Sequence, residues 1–357
     1  MNTRLIKRSA SALALSAALL LTATGSAGAA QIIVTTTIQA AVDLANPGDT
    51  VRVPPGIYHE NVLVTKDNIT ISGSPAAVLD GTGLIGDSGI TVQPLIPSLR
   101  INGFTLSGLQ IQNYSGNGVF LFEVDNFQID HGQYVNNDEY GIFPILCSNG
   151  LVEFNQVSGS DDTGIYIGQS YDALITHNHV SDCTVGIDVE NSTDVTVQDN
   201  LASDNTIGMT TEVLPLLTAT VTTDIQITRN IFRSNNRPNP VTDPNDILSR
   251  LPSGAGLLII GADSVSATSN TITLNNSVGI AVVQLPPDLA ALDPRIDPFP
   301  DNDQIRDNVV MINGHDPDPK IAPFPGSDLI WDFSGTGDCW SQNIYRTSFP
   351  AQLPGCP

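Results

Sequence analysis

A glycine followed by alternating apolar residues recurs along the chain, at Gly118 (GVFLF), Gly141 (GIFPI), Gly164 (GIYIG), Gly186 (GIDVE), Gly208 (GMTTE), Gly256 (GLLII) and Gly279 (GIAVV). Successive copies are 23, 23, 22, 22, 48 and 23 residues apart. Fourteen residues after most of these glycines an asparagine ends a second short strand, at Asn155, Asn178, Asn200 and Asn270. Asn230 and Asn308 close equivalent strands after insertions, and Gly132 takes that place in the earliest copy. A period of this length, holding two or three short strands and no helical pattern, describes one coil of a parallel β-solenoid. A single coil cannot bury its own interior. Coils therefore stack about 4.8 Å apart, and the asparagines pile into a ladder whose amides bond along the axis. The alternation sorts the side chains: Ile165, Ile167, Ile187 and Val189 face in, while Tyr166, Asp188 and Glu190 face out. The repeat glycines and asparagines read as corner residues that specify the fold.

The two ends need closing, because an open solenoid exposes unpaired strand edges. At the start, IQAAVDLANPGDTVRVPPGIYHENVLV gives a short amphipathic helix, about Ile38 to Ala45, followed by a turn and a strand. At the other end 16 residues lie between Cys339 and Cys356. A disulfide closing that loop, in a C-terminal segment spanning 337–357, contributes about 3 kcal/mol by loop entropy. Cys147 shares its register with the inward Ser170 and Ser192 and Cys183 lies at a different corner, so these two are expected to remain unpaired.

Ahead of the solenoid, Arg4, Lys7 and Arg8 precede an apolar run ending Ala27-Gly28-Ala29, the pattern of a cleaved secretory signal over residues 1–29. Its removal takes three of the 14 cationic and none of the 37 acidic side chains, leaving 11 against 37 and a net charge of −26. That field disfavours nucleic acid and anionic lipid as partners. No later apolar run approaches the ~20 residues of a membrane span. A secreted or periplasmic monomer is expected.

Three stretches break the period: Leu214 to Thr223, Asn236 to Ser253 and Gln284 to Asp303. Pro- and Asp-rich insertions on a regular scaffold build binding walls, and these flank the outward face of the Gly-strands. The floor between them includes Tyr166, Asp188, Glu190, Thr210 and Glu212. Phe120, Phe143 and Tyr166 share one outward register, an aromatic row that either stacks on sugar rings or packs under a loop.

Acids gather on the same side. Asp138 and Glu139 precede Gly141, Asp161 and Asp162 precede Gly164, and Asp188 and Glu190 follow Gly186. Carboxylates one coil apart repel by roughly 3 kcal/mol at an effective dielectric of 20. Such a row must splay into solvent, hold a proton or bind a cation. Asp138, Asp161, Asp162 and Glu190 are the candidate ligands for calcium, which takes six to eight oxygens. Asp161, Asp162, Asp188 and Glu190 are the candidates for proton transfer. Tyr166, Gln169 and Glu212, with His177 and Arg229 on the second strand near Asp199, are the candidates for substrate contact. For His177 and Arg229 a surface charge ladder is the favoured reading over a base and carboxylate clamp.

The opening IQAAVDLANPGDTVRVPPGIYHENV, the coils GIYIGQS and GIDVENS, and the CW…LPGC tail resemble exported bacterial repeat proteins of the pectin-lyase-like superfamily. The resemblance implies an all-β, single-stranded right-handed parallel β-helix over residues 30–336 with an N-terminal capping helix. It also implies an extracellular polysaccharide partner bound in a groove on one outer sheet face. The superfamily includes lyases, epimerases, hydrolases and proteins without an assigned reaction. NNDEYG followed 23 residues later by GSDDTG resembles the stacked Asp motifs of polygalacturonase-type hydrolases. The next coil departs from that pattern, with Cys183-Thr184-Val185 in place of Gly-His-Gly and no Arg-Ile-Lys. The Asp-Pro-His-Asp signature of alginate epimerases is likewise absent, which leaves a lyase, an epimerase and a hydrolase open, with a polysaccharide lyase or uronate epimerase favoured over a glycoside hydrolase. A non-catalytic structural or binding module is the alternative. A helper of metal-centre assembly is disfavoured, since neither Cys nor His clusters at ligand spacing.

Overall fold

A computed structural model of the chain describes residues 28–96 and 99–357. The expected leader, residues 1–29, lies outside the described residues but for its last two positions. Each coil contributes one strand to each of three parallel sheets, of 12, 11 and 10 strands among the described residues. The 11-stranded sheet contains the Gly-strands, including Tyr140–Ile145, Thr163–Gly168, Val185–Glu190, Ile207–Glu212, Ala255–Ile260 and Val278–Val283. Its inward column pairs in register from Val119 through Ile142, Ile165, Ile187, Met209, Leu257 and Ile280 to Leu329. All of these side chains are buried in one core that runs the length of the molecule.

The repeat glycines have a physical reason other than corner geometry. A Cβ at Gly186 would stand 2.5 Å from the carbonyl oxygen of Gly208, one at Gly208 2.5 Å from that of Gly256, and one at Gly164 2.9 Å from that of Gly186. Adjacent coils touch backbone to backbone here, and only hydrogen fits between them.

The expected ladder forms from Asn155 through Asn178, Asn200, Asn230, Asn270 and Asn308 to Asn343. Each amide nitrogen donates to the next side-chain oxygen at 3.0–3.1 Å. The same nitrogens also donate to inward carbonyls, as Asn200 does to Ile175 at 2.9 Å. The residue before each rung is left-handed, with φ of 54–58° at His131, Phe154, His177, Asp199, Arg229, Ser269 and Asp307. The chain turns there from the second sheet to the third. His177 and Arg229 thus lie on the turn after the second strand rather than on the strand itself, as the alternation had placed them. A second ladder, unforeseen, runs before the glycines through Asn205, Asn235, Asn275 and Asn313 to Asp328. Cys183 holds a rung of it, donating its backbone N–H to Asn205 Oδ1 at 2.9 Å. Cys147 and Cys183 are both buried and unpaired.

The capping helix spans Ile38–Leu44 and buries Ile38, Ala41 and Val42 against the first coil. Its ends are satisfied by a later turn. Glu60 accepts from the Ile38 and Gln39 N–H groups at 2.7 and 2.9 Å. Lys66 Nζ donates to the Val42, Asp43 and Ala45 carbonyls. An anion at the N-terminus and a cation at the C-terminus both complement the helix dipole. At the far end Cys339 and Cys356 are joined by a disulfide. No helix among the described residues is long and apolar enough to cross a membrane.

Candidate functional site

Outward positions on the Gly sheet form two columns. One runs Tyr166, Asp188, Thr210, Leu258, Ala281, and the other Gly168, Glu190, Glu212, Ile260, Val283. An outward column on a solenoid is ordinarily solvated, yet in this stretch it is buried: Tyr166 is 6% exposed, Asp188 5%, Glu190 9% and Glu212 8%. The insertions produce that burial. Leu214–Thr223 is braced by Asn191, which accepts from Leu214 N and donates to the Leu214 and Ala219 carbonyls. It is tied to the Gln284–Asp303 insertion through Asp293, which accepts from Leu216 N, and Arg295, which donates to Leu217 O. From the opposite margin Asn236–Ser253 reaches over, and Arg250 pairs with Asp288 at 2.6 Å. The walls therefore meet above the sheet. Beneath them lies a second apolar core containing Leu258, Ile260, Ala281, Leu285, Ile296 and Ile330. A further excursion around the short 3-10 turn Pro319–Ile321 adds to the roof, with Lys320 donating to Leu251 O at 3.2 Å. Its sequence, rich in Asp and Pro, carried the same signal as the other three insertions.

Where the roof begins, Asp188, Glu190 and Glu212 converge, with one carboxylate oxygen from each lying within 4.8 Å of the other two. Thr210 Oγ1 donates to Asp188 at 2.6 Å, and the Tyr166 hydroxyl donates to Glu190 at 2.8 Å. Gly168 makes the second contact possible, because a Cβ there would strike the Tyr166 ring. No hydrogen bond engages the Glu212 carboxyl among the described residues, and none of the three forms an ion pair. Burial without a cation disfavours the charged forms. Burial, then the charges of Glu212 and Glu190, raises the Asp188 carboxyl well above the usual carboxylate range. Burial lifts Glu190 to about 7 against the opposing Tyr166 hydrogen bond, and lifts Glu212 to about 8 with help from Glu190. Three carboxyls so placed either share protons or hold a cation. Two ligands on one calcium ion stand at most about 5 Å apart, so the cluster fits such an ion as a partial shell.

Asp162, half-buried on the neighbouring corner, accepts from Thr163 Oγ1 at 2.9 Å and is raised to about 6, chiefly by burial. Asp161 points away, its side chain 68% exposed and 3.8 Å from Arg237. The structure does not bring Asp138 or Asp161 to the carboxyl cluster, and Asp188 and Glu212 join Glu190 in it instead. Gln169 accepts from Thr218 N at 2.8 Å and so steadies the first insertion. Arg229 pairs with Asp199 at 2.7 Å, while Phe154 stacks on His177, both on the turn column away from the Gly sheet. Upstream of the acids Phe120, Phe143 and Tyr166 lie in file with centroids 5.3 and 4.9 Å apart. Tyr140 stacks on Phe143 at 4.1 Å, a member that its place before the glycine concealed.

A family model described as "Right handed beta helix region" matches residues 56–212 and 136–289. Among solved structures, the mannuronan C-5 epimerase AlgE4 A-module of Azotobacter vinelandii is similar at 16% identity and a TM-score of 0.64, over 86% of this chain and 90% of that one. DFA-IIIase from Arthrobacter chlorophenolicus A6, in its C387A form with DFA-III, is similar at 14% identity and a TM-score of 0.61, over 86% and 79%. At such identities the likeness is one of fold. No curated protein matches the chain. With two overlapping matches spanning well over half its length, the chain belongs to the right handed beta helix region family.

Proposed function

We propose that this protein is an exported enzyme that holds a polysaccharide along the outward face of the Gly sheet and acts on it by proton transfer at Asp188, Glu190 and Glu212. The observation that carries the reading is the convergence of three carboxyls from adjacent coils, buried and without a basic partner, on the floor of a walled groove. Stability alone does not favour such a set, since each group loses hydration and gains no counter-charge. A carboxylic acid that stays protonated near neutral pH can donate to a glycosidic oxygen while a neighbouring carboxylate attacks the anomeric carbon. Water, giving its proton to the first residue, then releases the sugar, and oxygens this close suit that two-step route. Tyr166 fixes one Glu190 oxygen, and Thr210 one Asp188 oxygen, so the remaining oxygens have defined directions. Half-buried Phe120 and Phe143, backed by the buried Tyr166, supply apolar surface for sugar rings upstream. The similar structures include a mannuronan epimerase and DFA-IIIase, which supports a carbohydrate substrate. The leader sequence and the Cys339–Cys356 disulfide support export to an oxidising compartment.

The spacing of the cluster favours a second reading of the same site. A uronate carboxylate brought beside three carboxyls needs a cation between them. Calcium on Asp188, Glu190 and Glu212 would supply that charge and polarise the substrate carboxyl for an epimerase or lyase reaction. A panel of neutral glycans and uronate polymers, assayed with and without calcium, tests both. Product from at least one polymer, lost in Glu190→Gln and Glu212→Gln proteins that still fold, is expected. A blank panel under both conditions would overturn the enzymatic reading in favour of a non-catalytic rod.

A further inference from the structure

The cluster is continuous with a cavity of about 420 Å³ under the roof, and the Glu212 carboxyl belongs to both. The chemistry changes abruptly across that residue. One coil beyond Thr210 the sheet floor becomes Leu258 and then Ala281, and one coil beyond Glu212 it becomes Ile260 and then Val283. The roof answers with Leu251, Leu285, Leu289 and Phe324. Arg250, Gln284, Lys320 and Asp332 also line the space, but Arg250 is paired with Asp288, Lys320 donates to Leu251 O and Asp332 accepts from Gln284 N. A sugar ring seated there would therefore leave most of its hydroxyls unpaired, each at a cost on the order of 1–3 kcal/mol. The cavity is well above the ~150 Å³ at which an apolar site accepts benzene. Glu212 is 8% exposed and its carboxyl has no hydrogen-bond partner among the described residues; it sits at the junction.

We infer that the cavity takes an alkyl or acyl chain, and that the natural ligand is an amphiphile: a hydroxylated sugar head over Asp188, Glu190 and Glu212 with an aliphatic substituent beside it. The inference deepens the proposed carbohydrate reading and rests on it for the sugar head. An unbranched chain matches a mostly apolar, half-open space continuous with a polar cluster, whereas the aromatic file lies on the other side of the acids. The ligand therefore lies along the solenoid axis, rings towards Phe120 and tail towards Ile330.

The test is calorimetric titration of the mature chain with methyl, butyl, hexyl and octyl glucosides below their micellar concentrations, with octanoate as the headless arm. Affinity is expected to rise about fourfold per added methylene until the cavity is full, with one ligand per chain and octanoate at least tenfold weaker than octyl glucoside. Ala281→Trp, which fills the cavity from its floor, is expected to abolish the chain-length dependence. Because that variant can fail to pack, Leu289→Asp, made on the roof, is the second probe and should weaken octyl glucoside at least tenfold while unfolding at a similar temperature. A flat series, octanoate binding as tightly as the glucoside, or chain-length dependence retained in both variants would overturn the inference. Failure of the enzymatic reading is distinguishable, since alkyl binding and its dependence on chain length are read by calorimetry without turnover.

Discussion

Ile187 and Asp188 are neighbours in one strand, and both are buried, yet they are buried for opposite reasons. Ile187 sits in a column set by the repeat, where every coil offers an apolar side chain and the stack excludes water unaided. Asp188 sits in a column that the repeat leaves to solvent and that irregular segments cover afterwards. The first burial stabilises the solenoid. The second confines three acids with no counter-charge, which lowers stability and raises their hold on protons. One strand thus shows where the fold ends and the site begins.

The largest effect expected is from carrying the outer chemistry inside. Ile187→Asp places a carboxylate where Ile165 and Met209 are its column neighbours, and a loss of more than about 5 kcal/mol, read as insoluble or unfolded protein, is expected. Ile187→Ala is the milder form and should cost about 2–5 kcal/mol in denaturant unfolding. Asp188→Asn, one residue away, is expected to fold normally and to unfold no earlier than the parent at pH 8. If the two positions responded alike, the distinction between the columns would fail.

Next in size is the effect of neutralising the cluster. Glu190→Gln and Glu212→Gln should each lower turnover by about 10²- to 10⁴-fold. Their effect on stability depends on pH, with a definite sign. Both carboxyls are raised in the folded state, to about 7 and about 8, so the native protein binds more protons than the unfolded chain above pH 4.5. Their contribution is intact at and below that pH and is lost as pH rises towards 8, each pKa unit being worth about 1.4 kcal/mol at most. The unfolding temperature of the parent should fall between pH 5 and 8. The double variant should lose much of that slope, and an equal slope in both would place the protons elsewhere.

Calcium sharpens the same point with a smaller shift. Protons and the cation compete for the same oxygens, so millimolar calcium should raise the unfolding temperature at pH 8 more than at pH 6, and should do nothing to the Glu190→Gln/Glu212→Gln protein. At a hundredfold excess over Kd the gain is about 2.7 kcal/mol. No gain at pH 8 would leave the cluster a proton site alone.

The inner column was legible because its signal repeats. Seven glycines and a line of asparagines at fixed offsets leave few folds open, and the capping helix and the terminal disulfide follow from the need to close two ends. The second ladder was hidden by a varying offset: Asn205 lies three residues before its glycine and Asn275 four. The outer column was legible only in part. Alternation gives the direction of Asp188, Glu190 and Tyr166, and the broken period marks three of the segments that cover them. Whether those segments fold over the sheet depends on contacts such as Arg250 with Asp288 and Arg295 with Leu217, which have no period. Asp161 and Asp162 show the limit most plainly. They are adjacent in sequence and one is exposed while the other is half-buried, because a corner sends successive side chains to different sides.

The smallest effect expected is at the turn column, which is outward like the acid column but has no roof. Arg229 forms a two-pronged pair with Asp199, Nε to Oδ1 at 2.8 Å and an η-nitrogen to Oδ2 at 2.7 Å, with the arginine side chain 53% exposed. The pair lowers the Asp199 carboxyl, the hydrogen bond being the largest cause, yet water screens both groups and the long side chain must be ordered to make it. Exposed pairs of this kind contribute little. Arg229→Ala should therefore leave the denaturant midpoint almost unchanged, and high salt should shrink even that difference. A large drop in the midpoint would mean that the turn column, with its left-handed residues at every rung, holds the coils in register through its side chains and not only through its backbone. The contrast with Asp188 would then rest on chemistry rather than on cover.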